Sequence, residues 1–284
     1  MKNFALIGLA GFVAKKHVKC ISDLKGNLVA ALDKHDNVGF IDSFFSKCNF
    51  FKEEKEFFNY IKKIKIDYVV ICSPSYLHFN HIKLSLLSGS NVIVEKPPVI
   101  KFDDYKKILK LEKKTKKKCY CIFQLRLDEK LKSIKKEIDL NKNKKKIMIK
   151  YYTYRGSWYF KSWKNNKKYS GGLLVNIAIH FFDILLWIFG DYKKIKILKK
   201  NDSTVEGIIY LEKATAKWTV SVENIKDKSK NIKTKYYRIM KINKRIINFD
   251  KFNDLHLNNY KEIIRGNFHI SKFIKTIKLL SVLK

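Results

Sequence analysis

The run Asn91-Val92-Ile93-Val94-Glu95-Lys96-Pro97-Pro98 sets an apolar triplet directly before a carboxylate, an amine and two prolines. The triplet reads as a strand covered on both faces, as in a parallel sheet. In an open α/β sheet, ligands lie beyond the carboxyl ends of the strands. Glu95 and Lys96 therefore leave the sheet on the ligand side. A turn with a local ion pair would read the same way, so the rest of the chain must decide.

A second group lies at the start. Phe4-Ala5-Leu6-Ile7 runs into Gly8-Leu9-Ala10-Gly11-Phe12-Val13. Dinucleotide sites favour Gly-x-Gly-x-x-Gly between a strand and a helix, for a tight turn, a close approach to pyrophosphate and close helix packing. Here Gly8 is in place, Ala10 and Val13 occupy the other two glycine positions, and Gly11 is extra. The helix that follows offers free N–H groups and a positive dipole end to the phosphates. Asp33 ends the next apolar run, 25 residues after Gly8. A carboxylate there accepts hydrogen bonds from the adenine-ribose hydroxyls and repels a 2′-phosphate, which favours NAD over NADP. An ordinary strand-end Asp is the competing explanation.

Cys72-Ser73-Pro74-Ser75-Tyr76-Leu77-His78 follows another buried run. Pro74 stiffens the turn, and Ser73, Tyr76 and His78 become candidates for the nicotinamide-ribose side. His78 reads equally well as a helix-surface histidine. Further on, Ser170-Gly171-Gly172 opens into the apolar helical run from Ile177 to Phe189. Asn176, His180 and Asp183 fall at i, i+4 and i+7, on one face of a helix. Buried polar groups are costly unless paired, so the stripe is either a satisfied network or the wall of a site.

These groups need a scaffold. Up to about residue 123, short apolar runs alternate with helical patterns: strands at 4–7, 28–32, 68–72, 92–94 and 119–123, with helices near 14–24, 53–63, 77–88 and around Tyr105 to Leu109. Repeated β-α-β-α predicts a Rossmann-type doubly wound parallel sheet for residues 1–123. From residue 124 to 284 the runs at 146–154, 193–198, 205–211, 216–222 and 235–249 are longer and often alternating. They predict an α+β domain on a mostly antiparallel sheet, so the fold class is α/β with two domains.

The formal charge of +35 invites a nucleic-acid reading. Only five of the 61 basic residues are Arg, the better bidentate reader of phosphates and bases, and the lysines are scattered. No specific nucleic-acid partner is expected. Five cysteines show no Cys-x-x-Cys pair and no zinc-type Cys/His spacing, so no metal is expected and a reduced, cytoplasmic protein is. Met1 to Ala14 superficially matches a signal peptide, but Gly8 and Gly11 interrupt it and no small-residue cleavage site follows. The run from Ile177 to Phe189 is too short to span a bilayer and carries His180 and Asp183, so no membrane segment is expected.

Taken together, the glycine turn, Ser-Pro-x-x-x-His at 73–78, Glu95-Lys96-Pro97, and Gly-Gly before a helix bearing His180 resemble the Gfo/Idh/MocA oxidoreductases. The likeness narrows through Met1 to Gly8, Leu28 to Asp33, Ile41 to Phe45, Gln124-Leu125-Arg126-Leu127, Ser162-Trp163-Lys164 and Asn176 to Asp183. It then points to members that oxidise C3 of a UDP-linked amino-uronic sugar, UDP-N-acetylglucosaminuronic acid, for bacterial surface polysaccharide (O-antigen).

The resemblance implies a Rossmann domain holding NAD and a second domain whose sheet face makes homo-oligomers, with a tetramer favoured. It implies Lys96 and His180 as the catalytic pair. Gly8, Ala10, Gly11, Phe12, Val13, Asp33, Ser73, Pro74, Tyr76, His78, Glu95, Lys96, Gln124, Trp163 and Lys164 become the cofactor-side candidates. Lys96, Arg126, Asn176, His180 and Asp183 become the substrate-side candidates; Arg126 and Arg155 are the scarce guanidinium groups able to meet a substrate carboxylate or diphosphate or to serve as structural ion-pair partners, the latter favoured for Arg155. Many relatives carry Asp where this chain has Asn176, which orients an imidazole but lends it no charge. A dehydrogenase acting on another nucleotide sugar or a polyol is an alternative, as is a non-catalytic NAD-binding protein.

Overall fold

Short, mostly apolar runs between amphipathic stretches form the first sheet of the computed structural model, which describes residues 1–140, 143–225, 235–251 and 255–283. Its strands are β1 (Asn3–Ile7), β2 (Asn27–Leu32), β3 (Asn49–Phe51), β4 (Tyr68–Ile71), β5 (Asn91–Val94) and β6 (Cys119–Cys121). All pair in parallel, in the order β3-β2-β1-β4-β5-β6. Helices α1 (Ala14–Asp23), α2 (Glu54–Lys63), α3 (His78–Leu87) and α4 (Phe102–Thr115) supply the crossovers. Every residue of β4 is buried, as a strand with both faces covered requires. The doubly wound parallel sheet expected from the sequence is present. Its strand β3 was not expected: three residues with an exposed Asn49 leave too little hydrophobic pattern.

The second sheet is built from β7 (Lys145–Thr153), β8 (Tyr192–Lys200), β9 (Thr204–Leu211), β10 (Ala214–Ser221), β11 (Tyr236–Ile242) and β12 (Arg245–Asn248). Their order is β12-β11-β7-β10-β9-β8. Only β7 and β10 pair in parallel; the other pairings are antiparallel. The single strand expected over 235–249 is instead a hairpin, because Asn243 turns the chain with φ 52°. Asn tolerates that left-handed conformation better than most residues.

Helices α5 (Glu129–Leu140), α6 (Ser157–Lys161) and α7 (Lys167–Ser170) precede a π-helical turn over Leu174–Ala178 and α8 (Ile179–Phe189). The 23-residue stretch Lys167–Phe189, broken at Gly171 between α7 and the π-turn, is longer than the sequence suggested and long and apolar enough to cross a membrane. Yet 83% of its apolar window is buried within the fold. Phe181 and Phe182 pack there on Trp218 of β10, at 6.0 and 5.2 Å between rings.

The described chain divides into two compact units. The first takes in Met1–Gln124 together with His256–Ile277, a stretch the sequence reading placed in the second part. This return comprises most of α9 (Leu255–Ile264) and the start of α10 (Ile274–Val282). It covers the edge strand β6: the Cys121 N–H donates to the Phe268 carbonyl at 2.9 Å, and Phe273 stacks on Phe123 at 4.2 Å. Glu112 of α4 accepts from the Cys119 N–H at 2.6 Å and meets His269 Nε2 at 2.8 Å. An edge so covered presents no free ladder groups to another chain.

Histidines of α3 join the turns after β4 and β5. His78 Nε2 faces the Ser73 carbonyl at 2.8 Å and its Nδ1 faces the Pro97 carbonyl at 2.7 Å. Burial pushes the His78 imidazole down to about 4, against the pull of the two carbonyls toward the charged ring. The folded protein then declines a proton that the unfolded chain takes up near pH 6.5. This contribution to stability is complete above pH 6.5 and disappears as pH falls toward 4. Its full size is about 3 kcal/mol by the linkage of pKa shift to stability. In urea unfolding from pH 7 to pH 4, His78→Gln should lose stability less steeply than the wild-type chain. Parallel stability curves would show that His78 does not carry this dependence.

Candidate active site

The turn after β1 is forced by a close approach. Gly8 has φ +91°, and a Cβ there would lie 2.6 Å from the Ser73 nitrogen and 2.7 Å from the Cys72 carbonyl carbon. Only glycine meets both demands. Gly11 is also tight, its added Cβ falling 3.0 Å from the Gly8 oxygen. The Gly11 N–H donates to Gly8 O at 3.1 Å and the Ala14 N–H to Gly11 O at 3.0 Å, leading the chain into α1. No side chain caps the start of that helix. Its first N–H groups therefore suit a phosphate.

Asp33, just past β2, sits against this turn. Its Oδ2 accepts from the Ala10 N–H at 2.8 Å and its Oδ1 from the His35 N–H at 3.0 Å. Each carboxylate oxygen retains a second acceptor site for a ribose hydroxyl. Gln124 adds an observation that fits a bound group: its Oε1 is buried and has no hydrogen-bond partner among the described residues. An orphaned acceptor of this kind costs free energy until a donor arrives. The cradle at Gly8 and Ala10, the uncapped helix, Asp33 and Gln124 together suit a dinucleotide. Phe12 is 89% exposed and Tyr76 43%, so their side chains stand open, whereas Ser73 is buried. Pro74 keeps the turn extended, with ψ 142°.

Ser73 is gripped from two sides. Its carbonyl faces His78, and its hydroxyl meets His81 Nδ1 at 2.8 Å, with Glu54 Oε1 3.0 Å from His81 Nε2. His78, read from the sequence as either surface or site, is thus a buried brace.

Glu95 and Lys96 follow β5 as expected, and the Lys96–Pro97 peptide is cis. Glu95 Oε2 accepts from the Lys96 N–H at 3.1 Å; Oε1 lies 2.9 Å from His17 Nε2 and 3.7 Å from His256 Nε2. His17 Nδ1 meets the Tyr260 hydroxyl at 2.7 Å. Burial would push the Glu95 carboxyl up, but the hydrogen bonds and charges of His17 and His256 outweigh it and hold it well below the usual carboxylate range. The three donor atoms lie within 4.8 Å of one another, a spacing that also suits a metal ion. The sequence could not reveal this group, whose members lie far apart in the chain.

In the second unit, Arg126 and Asp183, both substrate candidates, bind each other. Arg126 Nε donates to Asp183 Oδ2 at 2.8 Å and Nη2 to Oδ1 at 2.6 Å, a bidentate pair with the guanidinium 5.9 Å from the Trp187 ring. Asn176 lies in the π-helical turn and His180 in the first turn of α8; both are partly exposed on an otherwise buried helix. The π-turn alters the angular offset between them, so the i, i+4, i+7 stripe is not one regular helical face. Gly171, with φ +76°, starts this stretch, and a Cβ there would strike Val175 at 2.6 Å.

Lys164 lies 5.2 Å from the Trp158 ring and 5.8 Å from the Trp163 ring. Burial, then the positive charge of Arg155, lowers its ammonium pKa. Tyr159 is pushed up to about 12 by burial, with Arg155 opposing, and its hydroxyl has no partner among the described residues. Arg155 donates to the Tyr154 carbonyl at 3.1 Å.

Comparison with known proteins fits these features. Residues 2–123 match the GFO_IDH_MocA model, an oxidoreductase-family NAD-binding Rossmann fold, and residues 144–207 match that family's C-terminal alpha/beta domain. The Thermus thermophilus WlbA (WbpB) dehydrogenase is 34% identical over 100% of this chain and 94% of that one. Its crystal structures with NAD and alpha-ketoglutarate and with NAD and UDP-GlcNAcA superpose at TM-scores of 0.96 and 0.95. The Bacillus subtilis protein YteT is 31% identical over 48% of this chain, and that organism's scyllo-inositol 2-dehydrogenase (NAD(+)) is 26% identical over 44%. The matched stretches span 33% and 36% of those two relatives' own lengths. With both family domains matched and a 34% identical relative covered almost end to end, the chain belongs to the Gfo/Idh/MocA oxidoreductase family.

Proposed function

We propose that this chain is an NAD-dependent dehydrogenase that oxidises the C3 hydroxyl of UDP-N-acetylglucosaminuronic acid to the 3-keto sugar. The observation that carries the reading is the end-to-end likeness, at 34% identity, to a dehydrogenase crystallised with NAD and UDP-GlcNAcA. The chemistry of the second unit supports it. Burial, then the positive charge of Arg155, makes the Lys164 ammonium costly to keep charged. A substrate carboxylate or diphosphate would relieve that cost. The same proposal includes a cytoplasmic homo-oligomer, a tetramer, serving bacterial surface-polysaccharide synthesis.

NAD, when bound, would supply the hydride acceptor for the sugar carbon. The chain's task is the hydroxyl proton. His180 is the easier base at neutral pH, since an ordinary imidazole titrates at about 6.5 and an ordinary lysine at about 10.4. Lys96 then donates a hydrogen bond to the oxygen and stabilises its developing negative charge. Burial beside positive charge would lower the Lys96 ammonium enough to make it the base instead. A second reading, a polyol dehydrogenase, draws on the match to scyllo-inositol 2-dehydrogenase. A panel of UDP-sugars and inositols, followed by nicotinamide absorbance, separates the two.

Titration of the protein should show clear preference for NAD over NADP, and Asp33→Ala should narrow it. Equal affinities in the wild-type protein would remove the ribose role from Asp33. Lys96→Met should leave NAD binding largely intact while cutting turnover of UDP-N-acetylglucosaminuronic acid by about 10²–10⁴-fold, the usual contribution of an acid–base group. His180→Asn should also slow turnover, and by less where Lys96 serves as base. Full activity in both variants would rule out this pair.

A further inference from the structure

The turn after β5 carries a buried carboxylate for which the proposed proton transfer has no use. Glu95 is 8% exposed and is held on three sides: by His17 of α1, by His256 of α9 and by the Lys96 backbone N–H. One tautomer satisfies the inner links together. The Tyr260 hydroxyl donates to His17 Nδ1, leaving Nε2–H to donate to Glu95 Oε1. A fixed negative charge stays at the carboxyl end of β5.

That position matters for a dinucleotide. Asp33 ends β2, in the half of the sheet that takes the adenine ribose. A cofactor crossing the switch between β1 and β4 lays its nicotinamide half over the β4–β6 side. The inference rests on this orientation from the proposed function. The oxidised nicotinamide ring bears a positive charge and the reduced ring bears none. A rigid anion nearby attracts one and not the other, and does so strongly where water is scarce.

We propose that the Glu95 carboxylate, fixed by His17, His256 and Tyr260, is a specificity-determining charge that makes this site hold NAD in its oxidised form in preference to its reduced form. His17, His256 and Tyr260 are positioning residues in this arrangement. A purely structural network would weaken both cofactor forms alike when damaged. A charge changes their ratio.

The test is a pair of titrations of cofactor-stripped, full-length protein, with NAD⁺ and with NADH, at about pH 8, above the ordinary imidazole range. No sugar is present. Glu95→Gln should lower the NAD⁺-to-NADH affinity ratio by about tenfold or more, the size expected for unit charges roughly ten ångströms apart at an effective dielectric constant of about 20. Glu95→Asp retains the charge and should keep most of the ratio. Should Glu95→Gln fail to fold, the double variant His17→Gln/Glu95→Gln replaces the imidazole–carboxylate contact with an amide pair and gives the same readout. An unchanged ratio, or an equal weakening of both forms, overturns the proposal. A wild-type protein that binds neither form overturns it together with the cofactor reading. Failure to turn over any UDP-sugar bears on the substrate reading alone.

Discussion

The cofactor side of this molecule depends on the contact between two backbone turns. Gly8 lies so close to Cys72 and Ser73 that a single added carbon would collide with main-chain atoms. No side-chain rotation can relieve a clash with backbone. The same spot is knitted by the Gly8 N–H to Leu32 O and the Cys72 N–H to Ile7 O, both 2.8 Å. Three strand ends therefore meet where the strand order reverses. Asp33, Ser73 and Glu95 take their places relative to that knot.

Buried histidines extend the order outward. His17, His78 and His81 each bring both ring nitrogens within hydrogen-bond distance of polar groups on neighbouring segments. An imidazole suits this work because its two polar atoms point in different directions from a small, flat, apolar ring. Buried, it adds packing while one ring nitrogen donates a hydrogen bond and the other can accept one where its neighbour carries a proton. The large basic surface takes no part in these links.

The alternation of strands and helices to residue 123 was readable from the sequence, because buried parallel strands are short apolar runs and their helices are amphipathic. The placement of Gly8, Asp33 and the Glu95-Lys96 pair at strand ends was readable too, since local spacing fixes it. Four things were hidden. Strand β3 is too short to show a period. The regular stripe read into Asn176, His180 and Asp183 assumed 3.6 residues per turn, and a π-turn over Leu174–Ala178 breaks that assumption. His17, His256 and Tyr260 converge only through tertiary structure, and no local pattern connects residues 17 and 256. The pairing of Arg126 with Asp183 was hidden for the same reason: both types were noted, but not that each satisfies the other.

The return of residues 256–277 to the first unit makes that unit discontinuous in sequence. On a ribosome, Met1 to Gln124 emerges early, but the partners of Glu95 on α9 and the cover for β6 are made more than a hundred residues later. Until then the nascent sheet has an open edge and a carboxylate that lacks His256. The dinucleotide-binding half is thus completed only after residues 125–255 of the second unit have been made, and no single cut in the chain releases it whole.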